Sequence, residues 1–274
     1  GPGTADLIVL GSFFGVFSCF FGSTGCSPTR LEKTSFRASF SSCFCVFFRI
    51  LVSGLFAGSL GGLMAGLLQW YFVQPVLLHS ELYETGILKH FGEFTNSAQQ
   101  SLDTLQPIRD GLSLLFSMII YIGYAFLLIS AMTLRLQTSG DRITFHQGIV
   151  WGIIGYIAVH LAPAISLPPE VPGVAAAEVQ SRQIWWFTTV FLTVIGIWLI
   201  AFKPKIKYFF IGSTLIIAPH IFGAPEPNVF TGPAPTEIGA LFASRALGIG
   251  LVSWAILGGL SAFFLHKETV RAAG

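Results

Sequence analysis

The chain predicts an all-α, polytopic transmembrane helix bundle of about six spanning helices. Hydrophobic residues make up 53% of its 274 residues and charged residues only 10%, whereas an average soluble protein carries about 25% charged residues. The mean hydropathy is +0.73. Apolar runs fall at residues 49–73, 112–134, 147–166, 184–202, 207–223 and 240–265, close to the ~20 residues that cross ~30 Å of hydrocarbon as a helix. Barrel strands would be ~10 residues long and alternating, and a lone spanning segment must satisfy its own backbone hydrogen bonds, so these runs read as helices.

Residues 1–46 read as an N-terminal extension apart from the transmembrane domain at 47–268. The first residue is Gly1, as expected of a processed or partial chain, and all four cysteines (Cys19, Cys26, Cys43 and Cys45) lie in this stretch. The apolar run 7–21 would be about 22 Å long as a helix, short for a bilayer, and it lacks the basic start of a signal peptide, so it reads either as part of a dispensable extension or as a weak extra span. Cys43-x-Cys45 has no nearby partner ligand, so it reads as an unliganded pair.

The first span carries Gly54, Gly58, Gly62 and Gly66, a four-residue repeat that lets a neighbouring backbone approach closely. Weaker versions recur at Gly148, Gly152 and Gly155 in the third span and at Gly250, Gly258 and Gly259 in the sixth. At the far end of the first span come Gln74, Pro75, His79, Glu81, Tyr83 and Glu84. A helix persisting past Pro75 puts His79 and Tyr83 on one face. Residues 75–111 form the one sizeable extramembrane segment, with Leu102, Leu105 and Ile108 at helical spacing, so a short helix over the bundle is expected at 93–110. Spans three and five are interrupted by Pro163 and Pro219. The fifth is short, and residues 269–274 are a tail.

Lys and Arg divide unevenly between the two sides. If the first main span begins inside, the inner segments hold eleven of them, among them Arg135, Lys203, Lys205 and Lys207, while the outer side keeps Lys89, Arg109, Arg182 and Arg245. That split follows the positive-inside rule. Glu81, Glu84, Asp110, Glu170, Glu178, Glu226 and Glu237 fall outside, giving a face that attracts cations. Arg245, within the start of the last span, is expected to pair with Glu237 or Glu226. Trp70, Tyr71, Trp151, Trp185 and Trp186 are expected as headgroup anchors.

Two junctions hold the chemistry. His160-Leu-Ala-Pro163 runs into Leu-Pro-Pro-Glu170, and Ala-Pro219-His220 runs into Gly-Ala-Pro-Glu226-Pro. Imidazole and carboxylate suit a borderline divalent metal, and a proline inside a span frees a backbone carbonyl, here those of Val159 and Leu215. The expected metal residues are therefore His160, His220, Glu170 and Glu226, joined by the third cluster of His79, Glu81 and Glu84. No Cys or Met lies near them, which argues against copper(I). There is no His-Glu-x-x-His helix, no phosphate-binding loop and no Gly-x-Ser-x-Gly turn, so no enzyme is expected. Two rivals to transport are a membrane scaffold or accessory subunit, in which the junctions only shape helix ends, and a membrane-embedded metal enzyme. Lipid and a divalent cation are the expected partners, with no nucleic acid.

The order of these blocks resembles the CbtA family of predicted cobalt transporters over about residues 47–266: the glycine-rich span ending in Gln-Pro and Glu-x-Tyr-Glu84, His160-Leu-Ala-Pro, Leu-Pro-Pro-Glu-x-Pro-Gly173, Arg182-Gln-x-Trp-Trp186 and Ala-Pro-His220. The resemblance implies cobalt(II) as the transported ion, with no permanently bound cofactor. It also implies a bacterial cytoplasmic membrane, a supply of cobalt for cobalamin synthesis, and a small single-span, histidine-rich CbtB-like partner.

Overall fold

Residues 35–89, 106–139 and 143–271 are described by a computed structural model, and their regular structure is entirely helical. Helix α1 (Ser35–Phe72) leads into the short α2 (Gln74–Glu84), followed by α3 (Pro107–Ser139). Helix α4 runs as Phe145–Tyr156, continues through a π-helical segment, Ile157–Leu161, and ends in the turn Ala162–Ser166. Then come α5 (Val179–Phe202), α6 (Ile206–Phe222) and α7 (Thr236–Arg271). The apolar run 7–21 and residues 93–105 lie outside the described residues. Pro107 to Asp110, expected at the end of a surface helix, instead form the first turn of α3.

Five stretches are long and apolar enough to cross a membrane: Val46–Phe72, Pro107–Thr138, Phe145–Ala164, Val179–Phe202 and Thr236–Glu268. Helix α6 has 17 residues, about 25 Å at 1.5 Å per residue. It covers the expected short fifth span but is shorter than the five long apolar stretches, and it pairs with α5. The start of α4 is fixed by a capping box, in which the Gln147 N–H donates to Thr144 Oγ1 and the Thr144 N–H donates to Gln147 Oε1. This satisfies two donors that a helix start otherwise leaves open.

Helix α1 is the axle of the bundle because two of its faces are made of small residues. On one face, Gly54, Gly58, Gly62 and Gly66 lie against Phe126, Ile122, Met118 and Leu114 of α3, and a Cβ at Gly58 would strike the Ile122 backbone. On the other, Ser53, Ala57, Gly61 and Ala65 are buried, with Gly61 against Leu257 of α7. Helices α4 and α7 repeat the arrangement, since Gly148 and Gly152 meet the Gly258 and Trp254 backbones. In a bilayer, lipid tails compete for apolar surface, so close backbone contact of this kind is what holds helices together. The descending order of partners along each pair makes α1–α3, α1–α7 and α4–α7 antiparallel.

The hairpin α5–α6 is a second unit, locked at Gly196 and Gly212, where each glycine faces the other's carbonyl. It meets the rest of the protein chiefly through the π segment and last turn of α4. At the end of the bundle near the α5–α6 turn, Lys203 lies 5.1 Å over the Trp198 ring, Lys207 5.1 Å over Tyr208 and Arg135 5.3 Å over Phe202. Long basic stems over aromatic rings are the usual composition of a membrane–water boundary. The opposite end carries His79, Glu170 and Glu226.

Gly58→Ala should lower the thermal midpoint of the detergent-purified protein, because overpacking costs about 1–3 kcal/mol. Gly123→Ala, where nothing lies within 4 Å of the added methyl, should leave the midpoint unchanged or raise it through helix propensity.

Candidate functional site

Two helix breaks and one proline-bearing helix end, each with a histidine nearby, gather at the acidic end. The first separates α1 from α2. Proline at position 75 has no N–H to give, and the Val76 N–H turns to Val73 O at 3.1 Å, so the Phe72 carbonyl loses its helical partner. Arg245 Nη1 donates to that carbonyl at 3.0 Å. The expected pairing of Arg245 with Glu237 or Glu226 is therefore corrected. A freed carbonyl at the helix break is a fixed acceptor within reach of α7, whereas both glutamates are exposed. The α1–α2 corner is tied down again where Gln74 Nε2 donates to Asp110 Oδ1 at 2.9 Å, with Arg109 Nε 3.2 Å from the same oxygen. Beyond the break, α2 does continue as a helix, and the His79 and Tyr83 rings lie 5.7 Å apart. His79 Nε2 is buried with no hydrogen-bond partner.

The second break is the π segment in α4. With Pro163 unable to donate, the helix widens over Ile157–Leu161, and the Ala162 N–H reaches five residues back to Ile157 O. Such single-turn widenings carry a side chain away from its α-helical direction. Here the residue so placed is His160. Its ring is walled by Tyr124 of α3 at 6.0 Å, Tyr156 at 6.0 Å and Trp254 of α7 at 5.7 Å, and Tyr124 and Trp254 themselves lie 4.7 Å apart. Gly155 makes the room, since a Cβ there would collide with the Trp254 indole. The Tyr156 hydroxyl donates to Leu247 O at 2.9 Å, which fixes that wall. His160 Nδ1 and Trp254 Nε1 are both buried without a partner.

The third histidine lies at the end of α6, which runs on through Pro219 without interruption to Phe222; the expected interruption of the fifth span at Pro219 is therefore corrected. His220 follows Pro219 and sits between two other elements: its Nδ1 is 2.8 Å from Ser166 Oγ at the end of α4, and its ring packs edge-on to Trp185 of α5 at 5.9 Å. Trp185 Nε1 donates to Pro219 O at 3.4 Å. Trp185, expected as a headgroup anchor, also ties the hairpin together, because Pro219 O near the end of α6 accepts from its indole N–H. His220 Nε2 is buried and has no partner.

Loops close over these breaks. Gly173, at φ +79° in the left-handed region, lies against the side chain of Glu84 and against Pro233. The end of α2 thus meets the α4–α5 and α6–α7 loops, which are themselves joined by the Ala175 N–H to Thr231 O bond of 2.8 Å. Glu170 pairs with Arg182 Nη2 at 3.1 Å. Glu84, Glu170 and Glu226 are exposed, and Glu81 is half-buried.

The histidines are therefore held in different units. His160 belongs to the α3–α4–α7 core, His220 to the junction of α4 with the hairpin, and His79 to α2. Among the described residues, no three His, Cys, Asp or Glu side chains are close enough to hold one metal ion together. Each histidine keeps at least one ring nitrogen without a partner, and in His220 the other nitrogen is engaged by Ser166. The aromatic walls Tyr124 and Trp254, together with Ser166, escaped the sequence reading. The walls come from helices distant in sequence, and only Gly155 facing a large side chain hints at the chamber.

A glycine-packed bundle of apolar helices, broken by prolines at the histidine-bearing end, defines a polytopic helical membrane protein. Residues 47–266 match the family described as "Probable cobalt transporter subunit (CbtA)", and the chain belongs to that family. No curated protein and no solved structure matches it.

Replacing Arg245 by Met should destabilise the α1–α2 corner by about 1 kcal/mol, the worth of an exposed charge-assisted bond to a carbonyl. The effect should appear as a lower thermal midpoint and faster proteolysis near Phe72, and Glu237→Gln should change neither.

Proposed function

We propose that this chain is the membrane-embedded subunit through which cobalt(II) enters a bacterial cell, supplying cobalamin synthesis, with the first main span starting on the cytoplasmic side of the inner membrane. The observation that carries the reading is the set of buried, unpartnered imidazole nitrogens on His79, His160 and His220, each near a helix proline at the acidic end. It is supported by membership of a family of cobalt transporter subunits. Buried polar atoms without partners are costly in a bilayer and mark functional positions.

The separation of the histidines suits passage better than storage. A cage of three or more protein ligands binds a divalent ion tightly and slows its release, whereas conduction needs sites that are weak and multiple. In the proposed route, the exposed carboxylates Glu84, Glu170 and Glu226, with half-buried Glu81, raise the local concentration of the hydrated ion. His79 and His220 then exchange single waters for a ring nitrogen, and His160 receives the ion deeper among aromatic faces, which attract cations. Oxygen and nitrogen ligands of this kind favour nickel as well as cobalt, so selectivity is set by geometry and supply. A small single-span partner with a histidine-rich end, of the CbtB type, would deliver the ion to this face. No reaction is assigned to the chain.

Uptake of radioactive cobalt by metal-starved cells tests the proposal. With the partner present, His160→Ala/His220→Ala should lower uptake at least tenfold while membrane insertion stays normal. Uptake equal to wild type in the double variant would remove the route through these residues. No uptake by any combination, despite insertion, would favour an accessory subunit.

A further inference from the structure

The Ser166–His220 contact does more than join two helices. Ser166 is in the last turn of α4 and His220 near the end of α6, and their side chains meet at 2.8 Å between Oγ and Nδ1. The other ring nitrogen, Nε2, is buried and has no partner. A neutral imidazole carries one proton on one nitrogen, so the partner of Nδ1 decides what Nε2 can do. If the proton were on Nε2, a buried N–H would be left without an acceptor, and orphaned N–H groups are the rarer and costlier kind. If it is on Nδ1, it is donated to Ser166 Oγ, and Nε2 keeps a lone pair directed away from the contact. Metal-binding imidazoles are prepared in this way: one nitrogen gives its hydrogen to an oxygen and the other ligates.

We propose that Ser166 is a positioning residue that accepts a hydrogen bond from His220 Nδ1–H and so presents Nε2 as a single ligand for a divalent cation. Trp185 packs against the same ring, edge-on at 5.9 Å, and is itself held by its bond to Pro219 O. Orientation is therefore set from α4 and α5 together, and the tautomer by Ser166 as the acceptor for Nδ1–H combined with the lack of any acceptor at Nε2. This role rests on the metal-transport reading for its use, but not for its geometry.

The experiment uses full-length protein labelled with ¹⁵N-histidine in lipid nanodiscs, free of metal and at a pH where the imidazole is neutral, with His220 assigned by the signal lost in His220→Gln. Wild type and Ser166→Thr should show His220 protonated at Nδ1 with an imine-type Nε2. Ser166→Ala should move the proton to Nε2 and weaken cobalt(II) binding at His220 about tenfold, the lower end of losses seen when such partners are removed. Retention of the Nδ1–H form in Ser166→Ala, or an Nε2–H form in wild type, would overturn the proposal. Wild-type cobalt uptake is measured alongside: its absence with the expected tautomers would remove the transport reading while leaving the role of Ser166 intact.

Discussion

Close contact between helix backbones is the constraint on which the rest of this molecule depends. Inside lipid, a leucine gains little by leaving one apolar neighbour for another, so the helices are joined where carbonyls and Cα atoms touch directly. Helix α1 does this twice, with its Gly54–Gly66 repeat against α3 and its Ser53, Ala57, Gly61 and Ala65 face against α7. The α4–α7 seam at Gly148, Gly152 and Gly258 closes the core. These contacts fix the height of Trp254 and Tyr124 relative to α4, and with it the chamber around His160.

Pro75 and Pro163 act on this frame at the histidine-bearing end. Each break frees or re-aims a backbone acceptor, and each is answered differently. Arg245 takes the Phe72 carbonyl and the π segment reroutes the Ala162 N–H to Ile157, while at the end of α6 Pro219 O keeps its helical bond from the Gly223 N–H and also accepts from Trp185. A spanning helix tolerates such disruption only where another group repairs it or where polar backbone lines a functional site. His160, in the π segment, then occupies a position that a regular helix would not present, and Glu84, Glu170 and Glu226 remain exposed. Broken helices at binding sites are a recurring device of membrane transporters.

Much of the architecture was legible in the chain. Hydropathy located the apolar spans, including the shortness of α6, and the fourfold glycine spacing marked the α1 face that meets α3. Proline near histidine marked where α4 breaks, but not α6, which runs on through Pro219. What the sequence did not carry was the choice of partner. Arg245 was matched to glutamates because charges are visible in a sequence, whereas the Phe72 carbonyl becomes an acceptor only once Pro75 has broken the helix. Trp185 resembled any other tryptophan at a span end until Pro219 O was placed beside it. The division of His160 and His220 between the core and the hairpin depends on which face of α4 the π segment turns outward, a rotation that spacing alone does not give. The second small-residue face of α1 was readable at the same four-residue interval, but serine and alanine signal it more weakly than glycine.

A site made of separate single imidazoles differs in its coordination chemistry from a protein cage. The most direct measurement is X-ray absorption at the cobalt K-edge on protein loaded with cobalt(II) in lipid. The account predicts an oxygen-dominated, water-rich shell with about one imidazole per bound ion, an imidazole signal that disappears when His160 and His220 are both replaced. A shell containing three or more imidazoles, or a spectrum that the double replacement leaves unchanged, would contradict it.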